Sequence, residues 1–230
     1  MHLRQATVSF LILYIFANTN IRNLIYSEKN VITKEAIISK TLEIEGGYVN
    51  DKLDSGGETY CGITRNANPK WEGWKIVDTY KPLKWNQRIP NTELERLVIE
   101  IYDTKYYQAI KADKIDSDMI RTHLYDMAVN AGTGAAVKLL QKSINKIYGI
   151  AIVIDGVIGN IALTYTNNKA KLNKLVNEFI NQRREYYRNL VTIKPSNQKF
   201  LQGWLNRVDD KFGCNTYYYY LCRELKRFFD

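Results

Sequence analysis

A chain of 230 residues can bury a sizeable core, and suits one domain of ordinary size or two small ones packed together. Apolar and charged fractions of 45% and 25% are those of a globular protein, which excludes a disordered or fibrous chain. The 33 basic side chains exceed the 24 acidic ones by +9, a balance that favours an anionic partner such as nucleic acid, anionic lipid or an acidic cell-surface polymer, and equally fits a merely solvated charge.

The first element is an export-like leader. "MHLRQATVSFLILYIFANTN" sets His2 and Arg4 before an apolar run from Val8 to Ala17, the layout of a secretory signal or signal anchor. The run is shorter than the ~20 residues of a comfortable membrane span. Residues 1–30 are therefore set apart from the fold, with a membrane contact expected through this segment.

"TKEAIISKTLEIEGG" predicts a short helix capped by Thr33, with Glu35 in its first turn. Ile37, Ile38, Leu42 and Ile44 supply its apolar residues, Glu45 ends it, and Gly46 and Gly47 stop it. The glycine-punctuated stretch from Tyr48 to Thr64 has no helical period and predicts a small hairpin or irregular lobe. A tryptophan-rich stretch with several breakers runs on to Pro90. Helical patterning then returns in "NTELERLVIEIYDTKYYQAI", capped by Asn91 or Thr92. It continues in "SDMIRTHLYDMAVN", "AAVKLLQKSINKIYG", "KAKLNKLVNEFINQRREYYRNL" and "QKFLQGWLNRVDD". The compact turn "IDGVIGN" predicts positive φ at Gly156 and Gly159 and a capping role for Asp155. The expected fold class is mostly α (α+β, lysozyme-like): a helical bundle with a small β-hairpin lobe carrying part of the site.

Cys61, Cys214 and Cys222 are too few and too scattered for a disulfide framework. On one continuous helix Cys214 and Cys222 would lie ~12 Å apart, beyond disulfide reach. The only histidines are His2 and His123, and neither is marked as a base for Cys61. No ligand spacing points to zinc.

The carboxylates are more informative. Glu45 extends the stripe begun by Ile37, Ile38 and Leu42 and lies at the negative end of a helix dipole, so burial and dipole both disfavour its charged form. That is the setting of a general acid. Asp54, in a loop flanked by "SGG", is expected to stay ionised, and Thr59 follows five residues later. One protonated and one charged carboxyl are the equipment for splitting a glycosidic bond. Spacing alone leaves Glu43, Asp51 and Glu58 open as further candidates.

"EGGYVNDKLDSGGETYCGIT" resembles the signature of the phage-type muramidases of glycoside hydrolase family 108: E-G-G-Y-x-N-D, an aspartate, G-G-x-T and G-I-T. Leu53 stands where the family usually has proline. Farther on, "LYDMAVNAGTGAAVKLLQKSINK", "IDGVIGNIAL" and "FLQGWLNRV" resemble the peptidoglycan-binding domain that accompanies the family. Its marks are Asn130, Gly132, Asp155, Gly156, Gly159, Gly203, Trp204 and Arg207.

The resemblance implies a lysozyme-like fold and hydrolysis of the β-1,4 bond between N-acetylmuramic acid and N-acetylglucosamine, with no cofactor or metal. It assigns the acid to Glu45 and, through a wider likeness to phage lysozymes, supporting catalytic roles to Asp54 and Thr59. Tyr48, Asn50, Asn130 and Trp204 are the expected substrate contacts. The expected layout is a catalytic region at 31–115, a peptidoglycan-binding region at 116–212 and a tail helix at 213–230. A monomer working on glycan strands in the bacterial envelope is expected, reached by export or through a holin-like pore. Nucleic acid is not an expected partner, since no stacking or groove-reading motif is present. The alternative is a catalytically silent wall-binding or scaffold protein that keeps the fold.

Overall fold

The computed structural model describes residues 32–51 and 56–209. The leader at 1–30, Asp54, and the tail at 213–230 with Cys214 and Cys222 lie outside the described residues. Those from Thr33 onward belong to one compact unit.

Helix α1 (Lys34–Ile44) starts where Thr33 accepts a hydrogen bond from the Ala36 amide at 3.2 Å. It buries Ile37, Ile38, Thr41 and Leu42, and Glu45 is its C-cap. The chain leaves the helix through Gly46, whose φ of +70° is a left-handed conformation that favours glycine. Arg88 closes the same helix end by donating to the carbonyl of Leu42.

Three two-residue strands follow, β1 (Tyr48–Val49), β2 (Thr59–Tyr60) and β3 (Ile63–Thr64), paired antiparallel in that order. Register places Tyr48 opposite Tyr60 and Tyr60 opposite Ile63, and these three side chains face the core. Val49, Thr59 and Thr64 occupy the half-buried face. The free edge of β1 pairs with Gln87, so the expected hairpin lobe is a small sheet continued beyond β1 by that bridge.

The tryptophan-rich stretch contains a short helix the sequence pattern did not predict, α2 (Gly73–Thr79), which buries Trp74 and Val77. Helix α3 (Thr92–Tyr102) is capped by Asn91 and buries Leu94, Val98 and Tyr102 along one stripe. It runs into a π-helical turn, Asp103–Tyr107, closed by the Gln108 amide on the Asp103 carbonyl at 2.9 Å.

Helix α4 (Asp118–Ala131) is buried without a break from Ile120 to Ala128, the pattern of a central core helix. It packs against α1, α5 (Thr133–Tyr148) and α7 (Leu172–Ile193). Between α5 and α7 lies α6 (Asn160–Thr166); α8 (Gln198–Asp209) folds back on α7.

The turn before α6 is fastened by Gln141. Its amide donates to Asp155 Oδ1 at 2.8 Å, and its carbonyl oxygen accepts from the Gly156 amide at 3.0 Å. Gly156 has the expected positive φ, +85°. Gly159 does not: at φ −91° it is the N-cap of α6, a position that takes extended backbone. The architecture is mostly α with a small antiparallel sheet, the lysozyme-like class.

Candidate active site

Glu45 leaves α1 with its side chain 22% exposed, reachable from solvent yet set among protein groups. The E-G-G sequence has a local reason for each glycine. Gly46 supplies the left-handed turn. A methyl group on Gly47 would lie 2.5 Å from the Gln87 carbonyl oxygen and 2.6 Å from that of Asn86. The Gly47 amide donates to Asn86 Oδ1 at 2.6 Å, so the loop at 86–87 fixes the turn that aims Glu45.

The β2–β3 turn approaches the carboxyl from the other side. Gly62 is exposed, with φ +75°, and a methyl group there would lie 2.8 Å from Glu45 Oε2 and overlap the Tyr102 hydroxyl. Tyr102 donates to the Cys61 carbonyl at 2.9 Å. Burial, and then the charge of Glu45, push the Tyr102 phenol far above its ordinary value, and the same two causes raise Tyr106. The π turn brings these two rings to 5.5 Å, and π insertions recur at functional positions in helices. A shallow hollow beside Gly62 is lined by Ile63, Asn68, Tyr102, Lys105 and Tyr106.

A cation completes the surround. Arg207 Nη2 of α8 stands 3.6 Å from Glu45 Oε1. Its Nε donates to Asp126 Oδ1 at 2.6 Å, while the other oxygen of Asp126 accepts from Arg183. Arg183 is fully buried and its Nη1 lies 2.6 Å from Nδ1 of His123. Burial, and next the charge of Arg183, hold His123 down to about 4, so the ring is neutral at ordinary pH and accepts from Arg183.

The remaining expected residues are placed as follows. Asp54 is outside the described residues. Thr59 is half-buried on β2, its hydroxyl 3.5 Å from the Gly57 carbonyl. Tyr48 faces the core at 6% exposure and donates to Glu58 Oε1 at 2.6 Å, whereas Asn50 is exposed. Asn130, exposed at the end of α4, donates to the Asp126 carbonyl at 3.1 Å. Trp204 is half-buried and stacks on Tyr187 at 5.2 Å, one helical turn before Arg207. Glu45, Tyr48 and Thr59 thus share the lobe around the end of α1. Asn130 and Trp204 belong to the helices behind it.

Two of the other carboxylates are taken up elsewhere. Glu58 meets Arg65 Nε at 2.6 Å, Lys81 Nζ at 2.5 Å and the Tyr48 hydroxyl. Burial opposes its charge, but the hydrogen bonds from Lys81 and Tyr48 and the charge of Arg65 outweigh it and hold the carboxyl below its ordinary value. Glu43 is exposed and pairs with Lys40. Cys61 is buried, and burial pushes its thiol up to about 11 against the opposing charge of Arg88, which suits no nucleophile. It lines a separate cavity of about 580 Å³ with Leu42, Glu43, Arg88 and Glu95. Among the described residues no group of three or more histidine, cysteine or acidic side chains is arranged to hold a metal, and no helix is long and apolar enough to cross a membrane.

Sequence reasoning missed Tyr102 and Tyr106 as neighbours of Glu45 and Asp126 as the anchor of Arg207. It found Arg207 only as a motif position. Their one sequence-level signal is a charged or aromatic residue within a helix-forming stretch, which does not name its partner.

The model of glycosyl hydrolase 108 matches residues 38–132, and that of a predicted peptidoglycan domain matches 135–209. No curated protein matches the chain. Twelve chains of solved structures do. One is the structure of SagA from Brucella abortus, 25% identical with a TM-score of 0.53, over 77% of this chain and 92% of that one. With an acidic side chain at the end of α1, a three-stranded lobe beside it and a helical region behind, the chain carries a glycosyl hydrolase 108 region at 38–132 followed by a predicted peptidoglycan domain at 135–209, a pairing that supports a peptidoglycan hydrolase acting on the cell envelope.

Proposed function

We propose that the chain is an N-acetylmuramidase that cleaves the β-1,4 bond between N-acetylmuramic acid and N-acetylglucosamine, with Glu45 as the general acid. Glu45 donates its proton to the bridging oxygen. Asp54 is the second catalytic group, either steadying positive charge on the sugar or activating water, and Thr59 positions that water or the aspartate. Asn50 on the exposed lobe and Trp204 on α8 are the proposed glycan contacts. The chain works as a monomer on glycan strands, and residues 1–30 direct its export.

One observation carries the reading: the Glu45 side chain is 22% exposed beside the exposed Gly62, so a glycan oxygen can reach a carboxyl that Tyr102 and Arg207 also border. The likeness of residues 38–132 to glycosyl hydrolase 108 supports the same assignment.

Glu45→Gln keeps the shape and removes the acidic proton. Clearing of a cell-wall suspension should fall by at least about 10³-fold while sedimentation with walls and the circular dichroism spectrum stay unchanged. Lysis near the wild-type rate in that variant would move the acid role elsewhere. A wild-type protein that sediments with walls without clearing them would favour the silent wall-binding alternative. Mass spectrometry of the digest should find new reducing ends on muramic acid.

A further inference from the structure

We propose that Arg207, supplied by the peptidoglycan domain, is a positioning residue for Glu45, so that the second region completes the hydrolase site. This rests on the assignment of Glu45 as the acid.

The family match ends its hydrolase portion at residue 132, and Arg207 belongs to the later match. Helix α8 holds it in place by three means besides Asp126. Trp204 stacks on Tyr187 with ring planes 23° apart, Val208 is buried, and Asp209 pairs with Arg184 at 2.6 Å. The guanidinium therefore arrives on a braced helix rather than a free loop.

The chemistry of the cluster points at Glu45. Asp126 is a single buried carboxylate facing two guanidiniums, Arg183 and Arg207, so the group carries one positive charge beyond balance. Arg207 Nη2 is buried and makes no hydrogen bond, and Glu45 Oε1 is the carboxylate oxygen 3.6 Å from it. A buried donor without an acceptor is costly, and small movement of either side chain would join the two. When Glu45 gives up its proton, the carboxylate left behind meets a cation already in position, and such preorganised charge lowers the barrier to transfer.

Other groups face this pair from every side. Tyr102 comes from α3, Tyr106 from the π turn and Cys61 from the β2–β3 turn. Asp126 and Tyr125 belong to α4, and Arg183 and Tyr187 to α7. Arg207 is the nearby cation whose charge a substitution removes while leaving the acid intact.

The test uses the full chain with R207M, R207K and, as a control for the bracing of α8, R184Q. Turnover of a soluble peptidoglycan glycan fragment is followed across pH. R207M should lower kcat by about 10²-fold with KM changed less than about threefold. The alkaline limb of its pH profile should move to higher pH, because a cation that favours the negative form of the site is gone. R207K should restore the limb and part of kcat, and R184Q should stay within about twofold of wild type. A kcat for R207M within about threefold of wild type overturns the proposal. So does an equal loss in R207M and R184Q with the limb unmoved, which would make Arg207 a brace only.

If R207M fails to fold, R207K decides. The retained charge keeps the limb in place while the lost fork lowers kcat about tenfold, and an R207K kcat within about twofold of wild type overturns the idea. Glu45→Gln separates the two levels. If that variant still turns over, the acid assignment fails whatever Arg207 does; if it is inactive and the Arg207 variants are normal, the present inference alone fails.

Discussion

The bare α-carbon of Gly62 faces Oε2 of Glu45, with room for hydrogen and none for a methyl group. Gly62→Ala would push against the acid and the Tyr102 hydroxyl together, and would also strain a backbone at φ +75°. We expect kcat to fall about 10²-fold from misplacement of the carboxyl. Stability should drop by about 1–2 kcal/mol from the left-handed alanine. Steady-state turnover and a thermal melt read the two effects separately. A variant with wild-type turnover would mean that Glu45 works in a different rotamer.

His123 makes stability depend on pH in a defined direction. Its folded-state value, about 4, lies below the ordinary 6.5, so the unfolded chain takes up the proton first as pH falls. Its contribution is complete above pH 6.5, drains away between 6.5 and about 4, and is constant below that. The amount is about 3 kcal/mol. Denaturant midpoints at several pH values should decline across this window, and His123→Gln, which keeps an acceptor for Arg183, should remove that part of the slope. An equal slope in both proteins would place the titration on other groups.

Cys61 should resist alkylation in the native protein. With the thiol pushed up to about 11 by burial, about one molecule in a thousand carries a thiolate at pH 8. Peptide mapping after iodoacetamide should leave the Cys61 peptide unlabelled until denaturant is added. Rapid native labelling would require the end of α1 to open.

Gln141 should matter to folding and not to chemistry. Gln141→Leu strips partners from Asp155 and from the Gly156 amide at once. The expected cost is about 1–3 kcal/mol, read as a melting point lower by about 2–4 °C per kcal/mol. Turnover below the transition should be unchanged.

Much of the lobe was legible before any coordinates. The Thr33 cap, the apolar stripe of α1 and the Gly-Gly stop are local signals, and local signals place Glu45 at a helix end. The same reasoning could not see that Asn86 secures that end or that Glu58 is bound by three partners, because both depend on segments distant in sequence. Helix α4 shows the limit most plainly. Arg121, His123 and Asp126 are polar positions scattered around one helix, yet all three are buried. Periodicity reports which side chains share a stripe and not their partners, and here Arg183 and Arg207, from helices still to come, make His123 and Asp126 part of the interior. Gly159 failed for a simpler reason: the "D-G-x-x-G" pattern does not say which glycine turns and which begins the next helix.

The Glu58 cluster ties the small sheet to the rest of the molecule chiefly through partly exposed charges, Arg65, Lys81 and Asp78, where dissolved ions can compete. Ionic strength therefore acts as a tension control on the lobe: in brine it slackens, while the apolar helical interior stays indifferent. The same screening weakens the pull of a +9 chain toward an anionic wall, so dilute surroundings favour this enzyme both in reaching its polymer and in gripping it.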